Sequence, residues 1–490
     1  MNLLNDIQIA LLPESLIILF MLLVVVLSFL LKKEFQNFIF YVSVIGVIAA
    51  LTSLLFMDFS TEKHVFYGSF VSNYFTLLFR IIILVGTAFT IFLSKSYVQN
   101  FGKSIGEFYF LLLTATLGGM LLCGANDLIM IFIAMETLSI SSFALCGYTK
   151  LDKLSNEAAL KYLIFGAVAS AVMLYGFSFI YGITGETNLQ AISLFMPAYK
   201  LNPLLITTFL FVLAGFGFKI SAAPFHSWAP DVYEGAPIPV AAYLSVISKT
   251  AGFAILIRVI TILFPNIGLF SVILATIAVI TMTTGNLMAL GQQNIRRLMA
   301  YSSIAHAGYI LLGLVIMTSD GLTAMTFYLI TYLFMNFGVW AAIELFVVAT
   351  GKDSIDDFNG LAYKHRYFAL GLVICLLSLA GIPITAGFFS KFYLFKAVAF
   401  AGYEYMPLLI IALINTVVAL FYYMRIIKAI YVMPEKEKLD EIGVFGISFP
   451  IRVTMAVCVA GALLLGIFAA PFIEKSQIVN SSLYQVVVDK

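Results

Sequence analysis

Four charged side chains stand within long apolar stretches of this sequence. Glu136 lies in DLIMIFIAMETLSISSFALCGY, Lys219 and Lys249 lie in two later stretches, and Lys391 lies in GIPITAGFFSKFYLF. A charged residue at the centre of a membrane helix costs at least about 2.5–3.5 kcal/mol, so such residues are rare unless they have a function. Burial also disfavours the charged form of an amine, which favours proton exchange. These residues therefore predict a chain of protonatable groups inside a membrane.

A structural role is the alternative, in which the four charges form ion pairs that tie helices together. Glu136 and Lys219 suit that explanation, but three lysines outnumber the single carboxylate in the set. Ser139 follows Glu136 by three residues and shares its helical face, where a hydroxyl can orient the carboxylate or hold water. We therefore expect a proton path, with Ser139 as a supporting group.

His226 and His306 are further candidates for the path, because histidine titrates near neutrality. His306 has Tyr301, Ser302 and Ser303 just before it. A hydrogen-bonded structural role explains each histidine equally well. Haem ligation is unsupported, because neither histidine has a second one at useful helical spacing. The four cysteines form no CxxC pair, which leaves no framework for zinc or an iron–sulfur cluster.

Two prolines interrupt the stretches that hold Lys219 and Lys391. Pro224 leaves the carbonyl of Ile220 without its helical donor, and Pro383 lies 159 residues further on. Matching interruptions in two parts of a chain are typical of inverted repeats in transporters and point to the transport site. We expect broken helices at the seventh and twelfth membrane spans.

The composition requires a membrane protein. The chain is 62% hydrophobic and 11% charged, whereas soluble domains have about 25% charged residues. Apolar runs of about 20 residues, enough to cross a bilayer, recur along the whole chain. They are too long for barrel strands, so the fold class is an all-α polytopic bundle of about 14 transmembrane helices. The first run is interpreted as a retained span, because no cleavage site follows it.

Loop charges predict the orientation. With the N-terminus outside, the inner loops hold 16 basic residues and the outer loops hold four. The positive-inside rule then places both termini on the outer side of the membrane. Arg80 and Lys161 fall inside predicted spans, and the sequence leaves their roles open.

Three segments carry a family resemblance. FKISAAPFHSWAPDVYEGAPIPVAAYLSVISKTAGF, RRLMAYSSIAHAGYILLG and LAGIPITAGFFSKFYLF closely resemble the antiporter-like subunits of respiratory complex I, the NADH–quinone oxidoreductase. The resemblance covers nearly the whole chain. PDVYEGAPIPV, Lys391 and the short C-terminal tail resemble the N-type subunits more than the L or M types.

The resemblance implies a proton-translocating subunit. It gives the Glu136–Lys219 pair the role of a switch, Lys249 that of central relay and Lys391 that of exit group. Our hypothesis is that a proton enters from the cytoplasm at Lys249, whose pKa shifts as the Glu136–Lys219 pair opens and closes, then passes the region of His306 and leaves from Lys391. Quinone reduction elsewhere in the complex would supply the energy.

The resemblance also implies a domain division and partners. We expect an N-terminal three-helix segment (1–107), a repeat of spans four to eight (108–265), an inverted repeat of spans nine to thirteen (266–433) and a C-terminal helix and tail (434–490). The expected partners are the M-type subunit, the small membrane subunits A, J and K, and the lipid bilayer, with no nucleic acid. No cofactor is expected in this chain; FMN, iron–sulfur clusters and quinone would be bound by other subunits.

Two other functions compete with this one. A subunit of a Mrp-type Na⁺/H⁺ antiporter would share these lysines, but sodium needs a cluster of oxygen ligands, and Glu136 is the only intramembrane carboxylate that we expect. A structural scaffold with inert ion pairs is the other, and it predicts that loss of Lys249 lowers stability alone.

Overall fold

The structure is a computed structural model of the chain. It describes residues 10–32, 35–57, 59, 62–98, 105–195, 203–264, 268–434 and 449–488. Six of the basic residues in the loop count lie outside these ranges, namely Lys33, Lys103, Lys200, Lys436, Lys438 and Lys490. The boundary between the two expected repeats, at 265/266, also lies outside them.

Helices make up nearly all of the described chain. In order they are α1 (Leu12–Leu30), α2 (Phe38–Leu55), α3 (Tyr74–Val98), α4 (Ile105–Gly124), α5 (Leu128–Cys146), α6 (Lys153–Thr184), α7 (Leu189–Phe195), α8 (Pro203–Ile220), α9 (Ala229–Gly235), α10 (Ile238–Leu263), α11 (Gly268–Leu290), α12 (Ile295–Ile316), α13 (Ser319–Thr350), α14 (Leu361–Lys364), α15 (Arg366–Ala380), α16 (Ala386–Ala401), α17 (Met406–Tyr431), α18 (Phe449–Ile467) and α19 (Ala469–Val488). A short antiparallel hairpin, β1 (Lys63–Val65) and β2 (Phe70–Ser72), lies between α2 and α3.

The predicted fold class is confirmed. Within the described ranges, 13 helices are long and apolar enough to cross a membrane. Two shorter helices, α15 and α16, follow each other across one interruption and together match the predicted twelfth span. Lipid offers no hydrogen-bond partners, so apolar segments of this length satisfy their backbone only as helices.

Both predicted helix breaks are present. The first begins where α8 ends at Ile220, because Ser221 adopts a left-handed conformation with φ of 57°. One backbone N–H at this break finds a partner on α11, because the Ala223 N–H donates a hydrogen bond to Thr281 Oγ1 at 2.9 Å. The second break begins at Gly381, with φ of 87°, which suits glycine because it has no Cβ. The prolines Pro224 and Pro383 both lie exposed on the surface of the chain.

Helix α10, which holds Lys249, contains a π-helical turn. Residues Leu244–Ser248 form this turn, directly before Lys249. The whole of α10 is buried inside the bundle. A π turn within an α-helix is rare and frequently marks a functional site.

Several local features occur twice at an offset of 166 or 167 residues. Helices α6 and α13 both have 32 residues and both end at a left-handed glycine, Gly185 or Gly351. Asp127 and Asn294 cap the starts of α5 and α12 through their side chains.

Close helix contacts follow the same offset. A Cβ on Gly118 would lie 2.5 Å from Leu138 N, and a Cβ on Gly285 would lie 2.5 Å from Ala305 N. Each glycine therefore allows two helices to approach closely. These shared features agree with a division into two repeats, which stays a prediction.

Ion pairs connect several helices at one end of the bundle. Asp231 on α9 pairs with Lys161 near the start of α6 and with Arg297 at the start of α12. Arg296 pairs with Asp353 in the loop after α13. We call this end the basic face. Its assignment to the cytoplasm stays a prediction.

Candidate functional site

Lys219 and Glu136 lie near each other without direct contact. Lys219 occupies the last turn of α8 and is 1% exposed. Its Nζ donates to Ser139 Oγ on α5 at 2.9 Å. Glu136, one turn before Ser139, accepts a hydrogen bond from Ser170 on α6 at 2.5 Å. The expected ion pair is therefore open, with Ser139 bound to the lysine in place of the carboxylate.

Lys249 is buried and bound to α12. Its Nζ donates to Ser303 Oγ at 2.6 Å and to the Ser303 carbonyl at 2.9 Å. The π turn just before it ends at Ser248. No carboxylate in the described chain pairs with this ammonium group within 4.0 Å. Lys249 is thus a buried amine held by neutral oxygens, as a proton-exchanging group requires.

His306 continues the polar contacts on α12. Its Nδ1 and Nε2 lie 2.7 Å and 3.1 Å from the hydroxyls of Tyr328 and Tyr423. The Tyr423 hydroxyl also contacts Ser302 Oγ at 2.5 Å. Ser302 is the chain neighbour of Ser303, the partner of Lys249. The set Lys249–Ser303 and the set Ser302–Tyr423–His306 therefore start from adjacent residues of α12, and we call the two sets together the row of polar groups.

Lys391 lies at the second helix break. Its Nζ donates to the carbonyls of Leu379 and Ala380, at 2.9 Å and 3.0 Å. These are end carbonyls of α15, which lack intrahelical donors. The Nζ also lies 5.2 Å from the ring centroid of Tyr309. The break thus supplies the oxygen atoms that hold the lysine.

Asn286 on α11 connects the tyrosines around this region. Its Nδ2 lies 3.0 Å from the Tyr309 hydroxyl, and its Oδ1 accepts from the Tyr422 hydroxyl at 3.1 Å. The rings of Tyr422 and Tyr423 are 4.4 Å apart. Residues that the sequence did not single out therefore lie between His306 and Lys391, and the contacts at Tyr422–Tyr423 and at Tyr309–Lys391 are ring contacts.

Sequence reasoning missed Asn286, Tyr309, Tyr328, Tyr422 and Tyr423. All five are buried. In an apolar sequence a tyrosine looks like an aromatic filler, and its hydroxyl contacts depend on how distant helices pack. The available signal was weak: a buried tyrosine usually finds a hydrogen-bond partner for its hydroxyl.

His226 does not join this row. It lies partly exposed in the first helix break, and its Nδ1 has no hydrogen-bond partner in the described chain. Its place on the proton path stays a prediction.

The expectation of a single intramembrane carboxylate was wrong. Glu14 on α1 is 3% exposed and forms an ion pair with Arg80 on α3 at 2.7 Å. Glu344 on α13 is fully buried. Arg80 also donates to the Ala10 carbonyl at 3.2 Å, so this pair ties α1 to α3. Neither contact places Arg80 on the row of polar groups.

Lys161 belongs to the basic face. It contacts Glu157 and Asp231, and Arg297 joins Asp231 and Glu234 at 2.7 Å each. Asp231 lies on α9, between two candidate spans. Partial burial alone would raise the pKa of Asp231, but hydrogen bonds from Lys161 and Arg297 outweigh it and hold the pKa below its usual range.

Asp231→Asn is expected to lower the thermal stability of the purified chain only slightly. Partly exposed ion pairs contribute about 0–1 kcal/mol each. Because the pKa of Asp231 is lowered in the folded state, its contribution is complete above the unfolded pKa and disappears as the pH falls through the folded value. The measurement is the melting temperature of wild type and variant from neutral to acidic pH.

The two melting curves should converge at low pH and in high salt. Glu186→Gln, which alters an exposed carboxylate, is the matched control. A difference that stays constant with pH would contradict the assigned role of the ion pairs.

Metal ligands do not cluster in the described ranges: no group of three or more histidines, cysteines, aspartates and glutamates comes together there. The four cysteines are free and buried. The arrangement of lysines, serines, tyrosines and His306 is suited to proton transfer, because each group can accept and donate hydrogen bonds as its proton moves.

Comparison with known proteins places this geometry in context. Residues 125–419 match the family described as NADH:quinone oxidoreductase/Mrp antiporter, TM. The chain is 41% identical to NAD(P)H-quinone oxidoreductase subunit 2 of Thermosynechococcus vestitus, over 97% of this chain and 93% of that protein. It is also 41% identical to the chloroplastic subunit 2 of Mesostigma viride, over 96% of both chains.

Solved structures share the fold. A chain of respiratory complex I from Thermus thermophilus superposes with a TM-score of 0.79 at 30% identity, covering 94% of this chain and 98% of that chain. A chain of the Mrp complex from Dietzia superposes with a TM-score of 0.81 at 19% identity, covering 99% of both chains. At that identity the second likeness shows the fold alone.

Proposed function

The chain belongs to the NADH:quinone oxidoreductase/Mrp antiporter membrane family, and from that premise we propose that it is a proton-translocating membrane subunit of an NAD(P)H–quinone oxidoreductase. The observation that carries the proposal is the group of buried polar side chains around Lys249, His306 and Lys391. Relatives with the name of subunit 2 match nearly the whole chain, which supports this type of complex.

The finer assignments are part of the proposal. Within the complex the chain is of the N type, beside an M-type subunit and the small membrane subunits A, J and K. It crosses a bacterial plasma membrane with both termini outside, and 108–265 and 266–433 are inverted repeats. The redox cofactors are bound elsewhere in the complex.

The mechanism begins at the basic face. Lys249 takes up a proton through water from this side and holds it against the oxygens of Ser303. Release toward His306 follows when the charge balance around Lys249 changes. The hydroxyls of Ser303, Ser302 and Tyr423 can pass the proton by accepting one and releasing another.

The switch lies at Glu136 and Lys219. In the open arrangement described above, Ser139 holds Lys219 and Ser170 holds Glu136. Closing this ion pair would neutralise a positive charge near the uptake side of Lys249. Because opposite charges favour each other's ionised form, closing and opening the pair shifts the proton affinity of the next group.

Exit takes place at Lys391. The carbonyls of Leu379 and Ala380 stabilise its ammonium form, since they are at the negative end of the α15 dipole. Loss of the proton to the far side returns the lysine to its neutral form. The second helix break thus serves as a binding site for the departing proton.

The test is Glu136→Gln in vesicles that hold the assembled complex. We expect proton translocation driven by quinone reduction to fall about tenfold, within the range of coupling between interacting sites. The amide keeps the size of the side chain and its bond to Ser170 but removes the negative charge. Proton uptake into the vesicles is followed with a pH-sensitive dye while quinone reduction is measured separately.

Glu107→Gln is the matched control, because Glu107 is an exposed carboxylate on the first turn of α4. Unchanged translocation in Glu136→Gln would contradict the switch. Sodium transport that continues without quinone reduction would favour the Mrp-type antiporter instead.

A further inference from the structure

Glu344 is a buried carboxylate that the mechanism above does not use. It lies on α13, is fully buried, and neither of its carboxylate oxygens has a hydrogen-bond partner among the described residues. Helix α13 ends at Thr350 on the basic face. At a rise of about 1.5 Å per residue, Glu344 is about 9 Å below that end.

No ion pair neutralises this carboxylate within the described residues. Arg296 acts on Glu344 only from a distance, because its guanidinium is bonded to Asp353 at 2.5 Å. Tyr97 on α3 is a titratable group on which Glu344 acts. A buried carboxylate without a partner is costly, so such a group is either protonated or in contact with water.

Other unpartnered polar atoms lie on the same side of Glu344. Trp340 is one turn earlier on the same helix face, and its Nε1 has no acceptor in the described chain. Its ring centroid is 6.2 Å from that of Tyr233 on α9, whose hydroxyl also lacks a partner of good geometry. Buried polar atoms left in this way commonly bind ordered water.

The unpartnered atoms of Glu344, Trp340 and Tyr233 lead toward Lys249. Ser303 and Tyr332 lie near the Tyr233 hydroxyl, and Ser303 accepts from Lys249 at 2.6 Å. Unpartnered groups therefore extend from the basic face down to the first residue of the proton path. The contacts of Lys249 with Ser303 serve the departure of a proton from Lys249. Glu344, Trp340 and Tyr233 lie on the side from which a proton would arrive.

We propose that Glu344 is a proton-uptake site, which passes protons from the basic face through water held by Trp340 and Tyr233 to Lys249. The carboxylate accepts a proton from water at the basic face and releases it to the internal water row. Trp340 only donates a hydrogen bond that orients the water, and the Tyr233 hydroxyl accepts one proton while it releases its own. The inference rests on the proposed function, because it supplies the uptake step of the same path.

The test compares Glu344→Gln with wild type in vesicles that hold the assembled complex. We expect the rate of proton translocation to fall about tenfold, which corresponds to about 1.4 kcal/mol in the barrier. Assembly should be unaffected, because glutamine has the same shape and removes a buried charge that has no partner. Glu344→Asp should restore part of the rate, and Glu186→Gln is the matched surface control.

Infrared difference spectra of the wild-type complex supply a measurement that does not depend on the variant's assembly. A carboxyl C=O band should appear and disappear as the pH at the basic face is changed, and Glu344→Gln should lack it. A carboxylate with a purely structural role would give no such band.

Several outcomes would overturn the inference. Proton translocation in Glu344→Gln at the wild-type rate would do so. A pH-dependent carboxyl band that persists in Glu344→Gln would do so as well. If Lys249→Met abolishes translocation while Glu344→Gln retains it, the uptake site is wrong and the proposed function stands. If both variants translocate normally, the proposed function itself is wrong.

Discussion

Lys249→Met should lower proton translocation driven by quinone reduction by about 100-fold, the lower end of the contribution of a positioned acid–base group. Lys249 is the buried amine that connects the basic face to the row of hydroxyls, and it binds Ser303 through two hydrogen bonds. Methionine fills nearly the same volume but cannot carry a proton. The measurement is the rate of proton uptake by vesicles at a known rate of quinone reduction.

The amount of assembled complex distinguishes this result from a structural one. Methionine removes the cost of burying an ammonium group that has no carboxylate partner, so the complex should still assemble. Lys396→Met is the matched control, because Lys396 lies on α16 close to Lys391 in sequence but is exposed. Normal translocation together with reduced assembly would support the scaffold alternative and exclude the relay.

Lys391→Met should also lower the rate of proton translocation about 100-fold. In this variant the step that fails is the release of the proton at the exit of the path. A proton taken up at Lys249 would have no group from which to leave. In a single turnover, uptake from the basic face should therefore persist while release to the opposite face is lost. Rapid-mixing measurements with pH dyes on each side of the vesicle membrane would separate the two events.

Stability should respond differently in this variant. Lys391 supplies hydrogen bonds to two end carbonyls of α15, and a buried carbonyl that loses its donor costs about 1–3 kcal/mol. Lys391→Met should therefore melt at a lower temperature than Lys249→Met, because the Ser303 carbonyl lies inside α12 and keeps its helical donor. If uptake and release fail together, Lys391 is not specific to the exit.

The main outline of this molecule could be predicted from its sequence. Charged residues in apolar runs are few, so Lys219, Lys249 and Lys391 stand out, and all three are buried as expected. The helix breaks could be predicted because a proline removes a backbone donor wherever it occurs. These features depend on local chemistry, which the sequence displays directly.

Features that depend on packing could not be predicted. The direct contact expected between Glu136 and Lys219 is absent, because Lys219 binds Ser139 and Glu136 binds Ser170 instead. Glu344 is near the end of its span, where a charged side chain ordinarily reaches the interface. Its burial results from helices that are distant in sequence. The hydroxyl contacts of Tyr423 depend on α17 meeting α12.

The π turn before Lys249 has a consequence for how α10 tolerates changes of length. A π turn contains one residue more than an α turn, so Leu244–Ser248 is equivalent to a one-residue insertion in an ordinary helix. Removing one residue there would restore α geometry and leave the two parts of α10 facing as they do now, whereas removing one residue elsewhere in α10 would rotate them by about 100° relative to each other. After such a change outside the turn, Lys249 and the residues that precede the turn could no longer face their present neighbours together. Outside the turn, the number of residues in this helix is therefore as restrictive as their identity.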